Sequence, residues 1–132
     1  MWIAPRDIVR GKMSGGTDDD SFLSVLYHAL RARRRRETIR FVYTTDTPTI
    51  AVRTLGKNVA AVEQGLPPVR ATGEPYRNAY NALSQTHLPT LADAGIINYD
   101  PERQTISPGP NLTLAALLVA ISGSAVETLR AE

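Results

Sequence analysis

The sequence predicts a mainly α-helical domain with a small β-hairpin, and three observations carry the prediction. Apolar residues recur at helical spacing through four segments before residue 95. An Ala94-Gly95 stop then gives way to Ile96, Ile97 and Tyr99, the turn Asp100-Pro101-Glu102-Arg103 and a returning run, Gln104-Thr105-Ile106-Ser107. After the break Pro108-Gly109-Pro110, an apolar stretch from Leu112 to Ile121 predicts one further helix.

Residues 1–17 show no periodicity and turn Gly-rich and polar after Met13, so they are expected to form a disordered leader with Met13 as an alternative start. Asp18–Asp20 supply an N-cap and first-turn negative charge. Phe22, Val25, Leu26, Ala29 and Leu30 follow at i, i+3, i+4, i+7 and i+8, one buried helical face. Ile39, Val42 and Tyr43 mark a second helix over about 33–44, which begins on Arg33–Arg36, within a stretch holding six arginines between Arg31 and Arg40. Four positive charges at a helix start oppose its dipole, and Glu37 offsets only part of that. Two readings of the run stay open: a negatively charged partner, or a solvated helix start whose arginine stems cover core.

Asp46-Thr47-Pro48 ends that helix, and Thr49-Ile50-Ala51 is apt for a very short strand. Val52, Leu55, Val59 and Val62 give a third helix, about 52–64, stopped by Gly65. Leu66 to Gly73 is a loop. The last long helix before the hairpin is expected over about 75–94: at about 100° per residue, Tyr76, Tyr80, Leu83, His87, Leu88, Leu91 and Ala94 share one arc. Opposite them lie Asn78, Ala82, Gln85 and Pro89, with Asn81 and Thr86 at the flanks. Pro89 is expected to kink the helix on its outer face. Asn111 is expected to cap the final helix and Gly123 to interrupt it. That helix is apolar nearly all round, so Leu112, Leu114, Leu117, Leu118 and Ile121 are candidate partner-binding or dimerisation residues, and a homodimer is expected.

A helix running into a small hairpin is how a winged helix-turn-helix domain ends. The chain therefore divides into the leader 1–17, a winged helix-turn-helix domain over 18–110, and a carboxy-terminal packing or dimerisation helix over 111–132. Its 132 residues suffice for one modest core. The absence of cysteine excludes disulfides and thiolate sites. The apolar run 112–121 is about half of what a bilayer needs, and no secretory signal is visible. The expected location is the cytoplasm, with no membrane and no cofactor. Of the 15 basic and 13 acidic side chains, residues 1–12 hold Arg6, Arg10 and Lys12 against Asp7, which leaves 12 of each sign for the remainder. The overall basicity belongs to the leader.

Three segments carry a family resemblance: Arg33–Arg36; Ile50-Ala51-Val52-Arg53-Thr54-Leu55; and Thr86 to Asp100, with its core His-Leu-Pro-x-Leu-x-x-Ala-Gly-Ile. Over about residues 20–107 the chain resembles the small winged helix-turn-helix domains abundant in halophilic archaea, many of them transcriptional regulators without a characterised function. The looser pattern His-Leu-x-x-Leu-x-x-Ala-Gly is also similar to metal- or drug-responsive winged-helix repressors. The resemblance implies binding of double-stranded DNA. It departs from proteins of extreme halophiles in lacking a large acidic excess, which leaves open a different salt regime or a polyanionic partner.

On this reading the helix at about 75–94 enters the major groove and the wing, residues 96–107, lies on the backbone. Candidate base contacts are Asn78, Asn81, Ala82, Gln85 and Thr86, since Asn and Gln pair bidentately with adenine while Ala or the Thr methyl meets thymine. Candidate phosphate contacts are Arg53, Lys57, Arg77 and Arg103. The alternative is a winged-helix protein-interaction module that acts through its carboxy-terminal helix without duplex binding. An enzyme is not expected: Ser84, Ser107 and Ser122 lack a nucleophile context and no phosphate loop is present. His87 reads as a core-edge histidine and His28 as a cation at a helix end. No metal site is predicted.

Overall fold

A computed structural model describes the backbone of residues 15–131 and the side chains of residues 21–122. The chain is mainly α-helical with a small three-stranded antiparallel sheet and a carboxy-terminal helix, a winged-helix-like layout. In chain order it forms α1 (Gly15–Ala29), α2 (Arg33–Thr44), β1 (Ile50–Ala51), α3 (Val52–Gln64), α4 (Gly73–Ala82), a π-helical turn (Leu83–His87), α5 (Leu88–Asp93), β2 (Ile97–Asp100), β3 (Thr105–Pro108) and α6 (Leu112–Ala131). The sheet order is β1-β3-β2. Ile50 pairs with Ile106, and Tyr99 with Ile106 from the other side. The three strands thus lay Ile50, Ile97 and Ile106 against the helices, all buried.

Two of the helices end on glycines. Gly65 closes α3 in the left-handed region, its N–H bonded to the Ala61 and Val62 carbonyls, and Gly95 follows α5 at φ +74°. Beneath these ends Ile39, Val42, Val52, Leu55, Val59, Leu83, Leu88, Leu91 and Ile96 form one core, each no more than 2% exposed. Burial of side chains of this size stabilises by about 1.5–3 kcal/mol each before entropy is counted. α3 and α4 cross closely because Gly56 leaves room for the Tyr76 ring, whose Cε1 lies 3.2 Å from where a Cβ would stand.

Several expectations need correction. Helix α1 begins at Gly15, so residues 15–17 are helical, not leader; residues 1–14 and the Asp18–Asp20 side chains lie outside the described set. Of its expected buried face only Leu26 and Ala29 are buried and Leu30 is half-buried; Phe22 and Val25 are exposed, because the helix is held by its carboxy-terminal turn. Tyr43 and Val62 are exposed as well. Gly123 does not interrupt α6, whose backbone is continuous to Ala131. The α6 face toward α2 buries Leu112, Ala115 and Val119, while Leu114, Leu117 and Ile121 are exposed. Asn111 precedes α6 and its carbonyl accepts the Ala115 N–H at 3.0 Å, as a cap residue's does, but its amide donates to the Ala94 carbonyl at 2.9 Å.

Pro89 acts differently from the expected kink. It has no N–H for the carbonyl four residues back, and its ring crowds that carbonyl. The helix answers by widening for one turn: the Leu88 N–H bonds to the Leu83 carbonyl, five residues back. A π-turn inserts one residue into the helical phase. The buried stripe accordingly runs Ala79, Leu83, Leu88, Leu91, with a step of five across the turn, and Pro89 is half-buried instead of facing out.

Candidate nucleic-acid interface

The wing packs against the helix 73–93, where Tyr80 and Ser84 meet Gln104 and Tyr99. Asn78, Asn81, Gln85 and Thr86 are exposed on the helix; Ala82, expected among them, is half-buried and offers only part of its methyl. Arg53 and Arg77 are exposed, and Lys57 is half-buried. Arg53, on the first turn of α3, lies close enough to Tyr76 that its charge opposes the upward pull of burial and of Tyr80 on the Tyr76 hydroxyl. Arg103 stands at the wing tip with its side chain 83% exposed, 3.9 Å from Asp100, a contact too open to immobilise it. Asp100 instead shapes the turn: its Oδ1 accepts the N–H groups of Glu102 at 3.1 Å and Arg103 at 3.2 Å.

Gln104, expected in the returning strand, takes the left-handed conformation at φ +52° and β3 starts at Thr105. Its side chain links the wing to the helix, and its carbonyl accepts the Val52 N–H at 2.9 Å. One signal of this was present in the sequence. The residue after a type I hairpin turn is normally Gly or Asn, and a glutamine there asks what its amide does.

The arginine run resolves toward architecture. Arg34 binds Glu63 of α3 through two parallel bonds, 2.7 and 2.9 Å, which joins α2 to α3. The Arg34 hydrogen bond holds the Glu63 carboxyl below its ordinary range, against burial. Arg35 is buried and donates to the carbonyls of Ala29 at 2.7 Å and His28 at 3.0 Å, and Arg36 donates to those of Leu30 at 2.9 Å and Arg31 at 2.8 Å. Charges that oppose the dipole of α2 therefore cap the negative end of α1. Only Arg33 of the four is exposed. No spacing rule reveals this, since the partners lie on other elements.

His87 is half-buried, with Nδ1 3.2 Å from Arg35 Nη1. Arginine has only donors, so Nδ1 accepts and the ring proton sits on Nε2. Burial first, then Arg35 and Arg34, push the His87 pKa below its ordinary 6.5, and Glu63 counters weakly. Among the described residues no three His, Asp or Glu side chains converge as a metal would require. No helix among them is long and apolar enough to cross a membrane.

Residues 27–107, from the last turn of α1 through β3, match the family described as Domain of unknown function (DUF7344). The chain belongs to that family. No curated protein and no solved structure matches it. The DUF7344 match covers the whole helix–wing face and the Arg34–Glu63 and Arg35–His87 contacts, and it stops before α6.

The half-buried His87 gives this DUF7344 domain an expected pH dependence. The unfolded chain binds the imidazole proton more readily than the folded one, so stability falls as pH drops below 6.5 toward the lower folded pKa. Glu63, also depressed, adds a second loss below 4.5. The urea midpoint should fall between pH 7.5 and 5.5 in the wild type, and His87→Gln should flatten that interval; an unchanged wild-type midpoint contradicts the assignment.

Proposed function

We propose that the protein is a cytoplasmic DNA-binding transcriptional regulator of the winged helix-turn-helix kind resembled among halophilic archaea. The helix 73–93 lies in the major groove, and the wing, residues 97–108, lies on the backbone. The observation that carries this reading is the exposure of Asn78, Asn81, Gln85 and Thr86 on the helix directly joined to the wing that bears Arg103. Arg77 and Arg53, both exposed, add positive charge. Amides read adenine, and the arginines hold phosphates. The remaining charge of the domain is balanced, so about three or four phosphates per protomer is a reasonable footprint and the affinity relies on two copies acting together.

The second copy docks through α6. Leu114, Leu117 and Ile121 are spaced along one exposed side of this helix, whereas Leu112 belongs to the domain's own core and Leu118 is half-buried. The same exposed residues support the other reading, an interaction module whose partner is a different protein. The double variant Arg77→Ala/Arg103→Ala separates the two. Groove-and-wing binding predicts that it weakens retention of a labelled duplex about a hundredfold at moderate salt. Duplex retention indifferent to that change supports the interaction module.

A further inference from the structure

We propose that Gln104 is a positioning residue that locks the wing onto the helix 73–93, holding Arg103 at a fixed reach from Asn81 and Gln85. The proposal rests on the DNA-binding reading and adds to it the device that sets the geometry.

All four hydrogen-bonding positions of the Gln104 amide are used. Oε1 accepts from the Ser84 hydroxyl at 3.0 Å and the Tyr80 hydroxyl at 3.3 Å. Nε2 donates to the Pro101 carbonyl at 2.8 Å and the Tyr99 hydroxyl at 3.0 Å. A primary amide has two donors and two acceptor sites, so nothing is left over. Two of these partners lie on the helix and two on the wing.

The helix side of the lock depends on Pro89. With the Leu88 N–H committed to the Leu83 carbonyl, the next N–H in that register would come from residue 89 and meet the Ser84 carbonyl. Proline has none. The Tyr99 hydroxyl, itself the acceptor from Gln104, donates to the Ser84 carbonyl at a long 3.5 Å. The π-turn thus exposes a carbonyl that the wing satisfies. Ser84 is next to Gln85, and Arg103 is next to Gln104, so the lock sits between the base-reading and phosphate-holding groups.

Backbone conformation supports a role beyond turn formation. A residue with a Cβ is disfavoured in the left-handed region, where Gly and Asn are the residues tolerated best. If the turn alone mattered, Gly or Asn would serve better than Gln. Only the longer amide spans from the turn to Tyr80 and Ser84.

The test uses the full chain with Gln104→Gly, Gln104→Asn and, leaving the turn untouched, Tyr80→Phe/Ser84→Ala. Backbone 15N relaxation of the free protein reports the lock, and anisotropy of a labelled duplex reports its consequence. All three variants should lower the heteronuclear NOE of Glu102 and Arg103 while residues 73–93 keep theirs. Duplex affinity should fall about tenfold and the salt slope by about one, as for one lost phosphate contact. Unchanged NOE values in Gln104→Gly and Gln104→Asn overturn the lock whatever happens with DNA. A mobile wing with undiminished duplex affinity overturns the positioning role. Failure of the wild-type chain to retain any duplex overturns the DNA reading and the positioning role with it, while the NOE still decides the lock.

Discussion

Gly109→Ala is expected to destabilise the fold by about 3 kcal/mol, near the top of the range for a side chain forced into filled space. A Cβ on residue 109 would stand 2.6 Å from the Gly95 carbonyl oxygen, 2.8 Å from the Ile96 carbonyl carbon and 2.9 Å from the Ile97 nitrogen. These are backbone atoms, so no side-chain rotation relieves the overlap. The approach exists because the Gly109 N–H bonds to the Ile96 carbonyl at 3.0 Å while the Asn111 N–H bonds to the Gly95 carbonyl at 2.8 Å. Together with the Asn111 amide on Ala94, these bonds fasten the end of α5, the start of β2 and the entry to α6 at one point. Urea unfolding measures the loss. Gly65→Ala is the comparison: unlike Gly109 it has positive φ, but nothing lies within 4 Å of its Cβ position, so only the left-handed cost of about 1–2 kcal/mol applies. Equal costs at the two sites would contradict the close approach at Gly109.

Arg35→Met should cost about 2–3 kcal/mol, although the substitution nearly preserves volume. The guanidinium serves the His28 and Ala29 carbonyls and His87 Nδ1 at once, and methionine leaves all three without it. Arg35 is 7% exposed, so water does not readily replace it. The loss should concentrate in α1, which relies on this cap because Phe22, Leu23, Val25 and Tyr27 add little burial. Hydrogen exchange in α1 should then accelerate well beyond that in α3. Arg33→Met, at the exposed end of the run, should stay within about 0.5 kcal/mol. A stable Arg35→Met chain with protected α1 would show that the cap contributes little.

Much of the fold was legible because local rules and tertiary packing agree. Gly65 and Gly95 stop helices where the apolar period ends, and Asp100-Pro101 makes the expected turn. Ile50-Ala51 pairs with the wing as its β-branched start suggests. What escaped was long-range. Even phasing at 100° per residue cannot register the extra residue that Pro89 forces into the helix, so the arc misplaced Pro89 and counted His87 and Leu88 together. The Arg33–Arg36 run stayed open between two readings because Arg34 meets Glu63 and Arg35 meets His87 at 29 and 52 residues' distance in sequence. Phe22 and Val25 fitted a buried face by spacing, yet periodicity says only that a face is apolar, not that something covers it. At the candidate interface Asn78, Asn81, Gln85 and Thr86 were readable from the opposite side of the helix, whereas Gln104 was not.

The measurement that bears most directly on the central claim is a salt titration of duplex binding by the full chain, followed by fluorescence anisotropy. Groove-and-wing binding predicts a linear fall of log K with log salt, with a slope of about −3 to −4 per protomer and a reduction of about two in Arg77→Ala/Arg103→Ala. A slope near zero, or one that the double variant leaves unchanged, would contradict the account and leave α6 as the functional surface.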